Sequence, residues 1–147
     1  MTAGYSGTPL PKKLGLEPGQ RVFVGGPAPS GFLNEVDDVT WLRQARAPVD
    51  VAIVFTTTDT DYRTKLAAVS KVLAADGSLW IAWPKRSSGV ATDLTEDVIR
   101  NVAVGETDLV DNKVCAIDET WSGLRLVVRV SARPTWPVHA RQDRRAR

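Results

Sequence analysis

Residues 49–85, VDVAIVFTTTDTDYRTKLAAVSKVLAADGSLWIAWPK, decide the fold of this chain. Residues 49–55 are β-branched and almost wholly apolar, which is typical of a parallel strand covered on both faces. Residues 79–83 have the same character and stop at Pro84, so they predict a second buried strand. The apolar positions between the two strands recur every three or four residues on one helical face, namely Tyr62, Leu66, Val69 and Leu73. The segment therefore predicts a strand, a covering helix and a second strand.

The limits of the helices are predicted from the residues that flank them. Asp59 is a good N-cap, and Gly77 suits the left-handed position that follows a helix, so the first helix should run to about residue 75. Asp93 and Glu96 have the spacing of a capping pair and predict the start of a second helix.

The remaining strands and the domain limits are predicted from the same kinds of apolar pattern and flanking residues. Strands are expected at residues 21–24 and 39–43, with a closing antiparallel hairpin formed by residues 113–117 and 124–130. We predict three regions: a flexible arm (1–13), one Rossmann-like domain (14–132) and a basic disordered tail (133–147).

Composition excludes several classes of function. The chain has 147 residues with 43% hydrophobic and 24% charged side chains, enough for one buried core. One cysteine and one histidine permit neither an internal disulfide nor a Cys/His zinc cluster within one chain. No apolar run approaches the ~20 residues of a membrane span, and no secretory signal opens the chain. A cytoplasmic protein without membrane attachment is expected.

The basic charge is concentrated at the C-terminal end. Five arginines and one aspartate lie from Arg133 onward, whereas residues 1–132 hold 14 basic and 16 acidic side chains. A dedicated reader of nucleic acid carries a basic face, so the slightly acidic body of this chain argues against that class.

The stretches VDVAIVF and VLAADGSLWIAWPK, with the closing hairpin, resemble the second half of class I SAM-dependent methyltransferases. The resemblance covers roughly residues 49–130 and implies a single α/β, Rossmann-like, methyltransferase-like domain. Its sheet would be shortened and mostly parallel, with a C-terminal antiparallel hairpin. The whole chain, including PKRSSGVATDLTEDVIR at 84–100 and AIDETWSGLR at 116–125, is also similar to a family of small actinobacterial proteins of unknown function.

The chain departs from the methyltransferase pattern where that family binds its cofactor. The family has a Gly-x-Gly-x-Gly-like loop after the first strand, but here Gly25 and Gly26 precede two prolines, which offer no N–H. The acidic residue that ends the second strand and binds ribose in that family is absent, since Leu42, Arg43 and Gln44 follow Trp41. Residues 26–48 are too few for the ~30 residues of a further βαβ unit, so at least one strand and helix are missing. We therefore predict no cofactor.

Ligands bind at the carboxyl ends of parallel strands, which here are the loops at 25–31, 56–59 and 84–93. The third loop, beside the predicted helix that follows it, would form a pocket for a small anion. The alternative is that its residues are a solvated turn and a helix cap, and that Asp93 repels an anion. The candidate ligand-binding residues of the three loops are Gly25, Gly26, Thr57, Asp59, Lys85, Arg86, Ser87, Ser88, Gly89 and Thr92.

Trp121 lies beside Ser122 and Gly123 in the predicted hairpin turn, where it is either an exposed contact for a partner or part of the core. Helix caps and turns explain the carboxylates, so no catalytic residue and no metal site is predicted. The leading hypothesis is a non-catalytic Rossmann-like module that acts through an unidentified protein partner or by self-association. The alternatives are a sensor of a nucleotide or other anion at the 85–93 loop, and a divergent SAM-dependent methyltransferase.

Overall fold

The structure is a computed structural model, and it describes residues 7–139. Its strands are β1 (Arg21–Gly25), β2 (Thr40–Leu42), β3 (Val49–Phe55), β4 (Leu73–Pro84), β5 (Leu109–Ala116) and β6 (Trp121–Val128). Its α-helices are α1 (Leu10–Lys13), α2 (Asp59–Ser70) and α3 (Glu96–Glu106), and short 3₁₀ segments cover Arg86–Ser88 and Val130–Thr135.

The strands form one sheet in the order β2-β1-β3-β4-β6-β5. The four strands β2, β1, β3 and β4 are parallel, and β6 runs antiparallel to both β4 and β5. The predicted α/β, Rossmann-like domain with a mostly parallel sheet and a closing hairpin is confirmed.

The two faces of the sheet carry two separate cores. Trp80 and Trp83 lie three positions apart in β4, so their side chains belong to opposite faces, and both are buried. The face with Trp83 is covered by α2 and α3 through residues such as Leu66 and Ile99. Both faces of the central strands are therefore dry, as their continuous apolar sequence predicts.

The second face is covered without a long helix. Leu14, at the end of α1, is fully buried, and its carbonyl accepts a hydrogen bond from Trp80 Nε1 at 3.0 Å. Phe32, in the loop after β1, meets the Phe55 ring edge-on with centroids 5.0 Å apart. Of the arm predicted for residues 1–13, residues 1–6 lie outside the described residues, and the segment Leu10–Lys13 differs from the prediction because it is helical.

The predicted limits of the helices need correction. Thr58, and not Asp59, caps α2, since its hydroxyl accepts the Asp61 N–H at 3.1 Å. The helix ends at Ser70, and Leu73 already belongs to β4, where it pairs with Val49. Strand pairing with β3 therefore overrides the helical spacing that placed Leu73 on the helix.

A similar correction applies at α3, where Thr95, and not Asp93, is the cap, with its hydroxyl accepting the Val98 N–H at 3.1 Å.

At the C-terminal end, the predicted tail from residue 133 includes a packed segment. Trp136 Nε1 donates to the Leu73 carbonyl at 2.7 Å, and the Val138 carbonyl accepts the Ala75 N–H at 3.0 Å. Residues 140–147 lie outside the described residues. No helix among residues 7–139 is long and apolar enough to cross a membrane.

Gly77 does not end a helix; it lies inside β4 and has no positive φ. A Cβ atom at this position would lie 2.8 Å from the Asp50 carbonyl oxygen and 3.0 Å from that of Val49. The register between β3 and β4 shifts at this point, so the glycine allows two backbones to approach closely.

Gly77→Ala should therefore destabilise the fold by about 1–3 kcal/mol, because backbone atoms cannot move aside as a flexible side chain can. Gly105→Ala is the matched control: its Cβ would meet nothing within 4 Å in α3, so we expect a gain of about 0.5–1 kcal/mol. Urea unfolding monitored by tryptophan fluorescence measures both, and equal midpoints for the two variants would contradict the close approach at Gly77.

Candidate functional site

The carboxyl ends of β1 and β3 lie side by side, and the turn after β1 presses against β3. Gly26 has a φ of +77°. A Cβ atom on Gly26 would overlap the Phe55 carbonyl oxygen and would lie 3.2 Å from Lys65 Nζ. The Ala28 N–H is turned back onto the Gly26 carbonyl at 2.9 Å. The turn after β1 is therefore packed closely on the end of β3.

Lys65 is held over this turn by a small polar cluster. Lys65 Nζ donates to Asp61 Oδ2 at 2.6 Å and to the Phe55 carbonyl at 3.4 Å. The hydroxyl of Thr56, which is fully buried at the end of β3, donates to the same Asp61 oxygen at 2.6 Å. Asp61 and Lys65 are one helical turn apart in α2, which places them on the same face. We call Thr56, Asp61 and Lys65 the Asp61 cluster.

The carboxyl group of Asp61 is adapted to stay ionised. Its burial alone would raise its pKa, but the hydrogen bonds from Lys65 and Thr56, together with the lysine charge, leave the pKa of Asp61 below its ordinary value. An aspartate of this kind accepts hydrogen bonds and holds a cation, and it is poorly suited to give up a proton as a general acid.

The 85–93 loop is fastened to the start of α2. The Thr92 hydroxyl donates to the Thr57 carbonyl at 2.6 Å, and Asp93 Oδ1 accepts the Asp59 N–H at 2.8 Å. The structure thus brings together three of the predicted site residues: Thr57, Asp59 and Thr92. The N-terminus of α2 would attract an anion, and the chain supplies that anion from Asp93.

The other polar groups of the loop are used within it. Ser88 Oγ donates to the Lys85 carbonyl at 2.6 Å and accepts the Val90 N–H at 3.2 Å. Gly89 has the left-handed φ of +76° that ends the 3₁₀ turn. Ser87 is exposed at the tip of this turn. Their contacts therefore agree with the alternative that these residues form a turn and a helix cap.

A cleft of about 490 Å³ lies between the end of β4 and the start of α3. Of the predicted ligand residues, Arg86, Gly89 and Thr92 line it, and Lys85 does not. Glu96 also lines the cleft, so a cation and a carboxylate share its wall. The full lining is Trp83, Pro84, Arg86, Gly89, Val90, Ala91, Thr92, Leu94, Thr95 and Glu96.

Trp121 is a core residue, and the expectation of an exposed aromatic contact is wrong. Its exposed fraction is 8%, and its ring meets Phe55 edge-on with centroids 5.0 Å apart. It opens β6 instead of lying in the turn, because the turn carboxylate Asp118 accepts its N–H at 2.8 Å.

The structure also adds residues that the sequence reading missed. The Asp61 cluster was not among the candidates, although an acid and a lysine four residues apart just after a buried strand are a usable signal. Among residues 7–139 no group of three or more His, Cys, Asp or Glu side chains is placed to hold a metal ion.

Solved structures with a similar fold are methyltransferases and related proteins. A protein from Sulfolobus solfataricus assigned as a type 11 methyltransferase matches with a TM-score of 0.50 and 16% identity, over 76% of this chain and 85% of that one. MtNAS, solved in complex with MTA and tNA, matches with a TM-score of 0.53 and 11% identity, over 80% of this chain. TrmN from Thermus thermophilus matches with a TM-score of 0.51 and 11% identity, over 81% of this chain.

The chain spans about half the length of the last two proteins, 56% of MtNAS and 47% of TrmN. No protein-family model and no curated protein matches the sequence. Identities this low establish the fold alone, so the chain has a methyltransferase-like Rossmann fold, and nothing about its activity follows from these matches.

The fold implies SAM as a cofactor, but the described residues do not fit it at the expected position. The turn at Gly26 is packed on the Phe55 carbonyl and faces the Lys65 ammonium group. The side chain that follows β2 is the cationic Arg43, where an acid would bind ribose hydroxyls. A cradle for an adenosyl group needs room beside the backbone, and at Gly26 the backbone is packed on the Phe55 carbonyl with the Lys65 ammonium group next to it.

Asp61→Asn should destabilise the protein at neutral pH by about 1 kcal/mol, because the amide cannot hold the Lys65 charge. The lowered pKa of Asp61 gives this contribution a defined pH range. The stabilisation by ionised Asp61 is complete above pH 3.8, the ordinary pKa of an aspartate. It is lost as the pH falls through the lower pKa that Asp61 has in the folded protein.

Urea unfolding at pH 7 and at about pH 2–3 measures this difference. The gap between the wild type and Asp61→Asn should close in acid, whereas the exposed Asp37→Asn control should match the wild type at both pH values. A gap of the same size at both pH values would contradict the proposed role of the ionised carboxylate.

Proposed function

We propose that this chain is a non-catalytic Rossmann-like module that acts through a protein partner or by self-association. One observation carries the proposal: at the ends of β1 and β3, where this fold binds its cofactor, Gly26 packs on the Phe55 carbonyl and the Lys65 ammonium group lies beside it. The methyltransferase-like sheet is present, and the position of Lys65 supports a role that does not depend on that cofactor.

The carboxylates at this edge support the same proposal, because each is engaged in a structural contact. Asp59 pairs with Arg63 at 3.1 Å, Asp61 pairs with Lys65 at 2.6 Å, and Asp93 accepts the Asp59 N–H at 2.8 Å. A general acid or base needs access to a substrate and a pKa near the working pH. Asp61 instead ties α2 to Thr56 after β3, Asp93 ties the 85–93 loop to the start of α2, and Asp59 pairs with Arg63 within the helix.

The edges of the sheet indicate how a partner would be met. β2 has only three residues, and β5 carries a one-residue irregularity between Asp111 and Lys113. Short strands, bulges and edge lysines oppose strand-to-strand pairing. Contact through side chains on a face is therefore favoured over extension of the sheet. The cytoplasmic location and membership of the actinobacterial family remain predictions of the sequence.

Calorimetry with SAM tests the proposal and also decides the third alternative, a divergent methyltransferase. We expect no saturable heat up to about 1 mM SAM, since a weaker interaction would be of no use to an enzyme. A protein known to bind SAM serves as the positive control. Saturable binding with a micromolar Kd would overturn the proposal.

A second candidate function is a sensor of a small anion, and the cleft of about 490 Å³ beside Arg86 is the observation that favours it. Inorganic phosphate and nucleotides at 100 times their Kd should stabilise such a sensor by about 2.7 kcal/mol. Arg86→Gln should abolish the rise in Tm, and Lys71→Gln, at an exposed cation just after the C-terminal end of α2, should not. No rise with millimolar ligand would eliminate this candidate.

A further inference from the structure

The edge hairpin of β5 and β6 places like charges next to each other. Lys113 and Arg125 are register partners across the two antiparallel strands, so their Cβ atoms are neighbours on one face. Lys13 joins them from α1: its Nζ donates to the Ala116 carbonyl, and its own carbonyl accepts Lys113 Nζ, both at 3.1 Å. We call Lys13, Lys113 and Arg125 the hairpin cations.

Arg125 is incompletely satisfied. Among residues 7–139 its Nε is buried without a hydrogen-bond partner, and its Nη1 donates to Asn112 Oδ1 at 3.5 Å. Burial lowers the pKa of Arg125, and the charge of Arg133 lowers that pKa further. A buried donor without an acceptor and a like-charged neighbour both destabilise a fold.

The described part of the chain supplies no carboxylate to this pair. The ion pairs among residues 7–139 involve Arg63, Lys65 and Arg100, and none includes Lys113 or Arg125. The terminal segments are poor sources of an acid as well. Residues 1–6 contain none, and residues 140–147 contain four arginines and one aspartate. An acidic group of a partner would therefore complete this pair.

We propose that the hairpin cations dock an acidic segment of a protein partner, with Asp or Glu carboxylates accepting hydrogen bonds from Arg125 and Lys113. This inference rests on the proposed function and names the chemistry of its partner. The segment of β5 around Lys113 is exposed, which suits an extended chain with spaced carboxylates. A nucleic acid would need a wider basic face than this slightly acidic body provides.

Fluorescence anisotropy with a labelled octaglutamate peptide tests the proposal on the full chain. We expect saturable binding at low salt that weakens as salt is added. Lys113→Glu and Arg125→Gln should each lower the affinity at least about tenfold. Lys71→Glu is the matched control, because it makes the same charge change at an exposed position on another face, and its affinity should stay within about twofold of the wild type.

The stability of the variants provides an independent readout. Lys113→Glu creates an opposite-charge pair with Arg125, so its Tm should rise by about 1–3 °C while peptide binding is lost. Loss of binding together with a higher Tm cannot be explained by unfolding.

Three results would overturn the inference: no saturable binding, equal weakening by Lys71→Glu, or tighter binding of an oligonucleotide of the same charge. SAM calorimetry on the same samples separates the two proposals. SAM binding would refute the non-catalytic function, whereas peptide binding that ignores Lys113 and Arg125 would refute only the docking site.

Discussion

Every residue of β3 is buried, and this strand constrains the rest of the molecule. A backbone buried on both faces must find its hydrogen bonds within the sheet, so β1 and β4 have to lie on either side of it. The one carboxylate in the strand, Asp50, meets the same requirement by accepting the Arg21 N–H at 2.8 Å. Both cores are assembled on this strand, and α2 leaves directly from its end.

The same strand end decides what the edge of the sheet can bind. In an open α/β sheet the crevice at this edge is available to a ligand. Here the turn at Gly26 packs on the Phe55 carbonyl. Asp61 holds the Lys65 ammonium group next to this turn. The Asp93 carboxylate likewise takes the position that an anion would hold at α2. At the start of α2, an internal carboxylate thus takes the place that the helix dipole would offer to a bound anion.

The hairpin at the other end of the sheet differs, because two like charges lie next to each other in it. Its two strands keep Lys113 beside Arg125 and leave one guanidinium nitrogen without a partner, although an acidic or neutral residue would be more stable there. Within residues 7–139 the charges at the strand ends are paired, and Lys113 and Arg125 of the hairpin are not paired with a carboxylate. This contrast is the basis of the proposal that the protein interacts through the surface of its sheet.

The sequence by itself determined the strands and their parallel order, because continuous apolar runs such as residues 49–55 and 79–83 can only be buried in a covered sheet. It also identified the departure at Gly25 and Gly26, since proline lacks an N–H whatever the fold. The end of α2, the burial of Trp121 and the Asp61 cluster were decided by tertiary structure. Each depends on a partner far away in sequence, as when Leu73 pairs with Val49 in place of continuing a helix. Local spacing cannot reveal which distant backbone or ring will be adjacent. That adjacency determined the start of β4 at Leu73 and the close packing of Gly26 and Lys65 at Phe55.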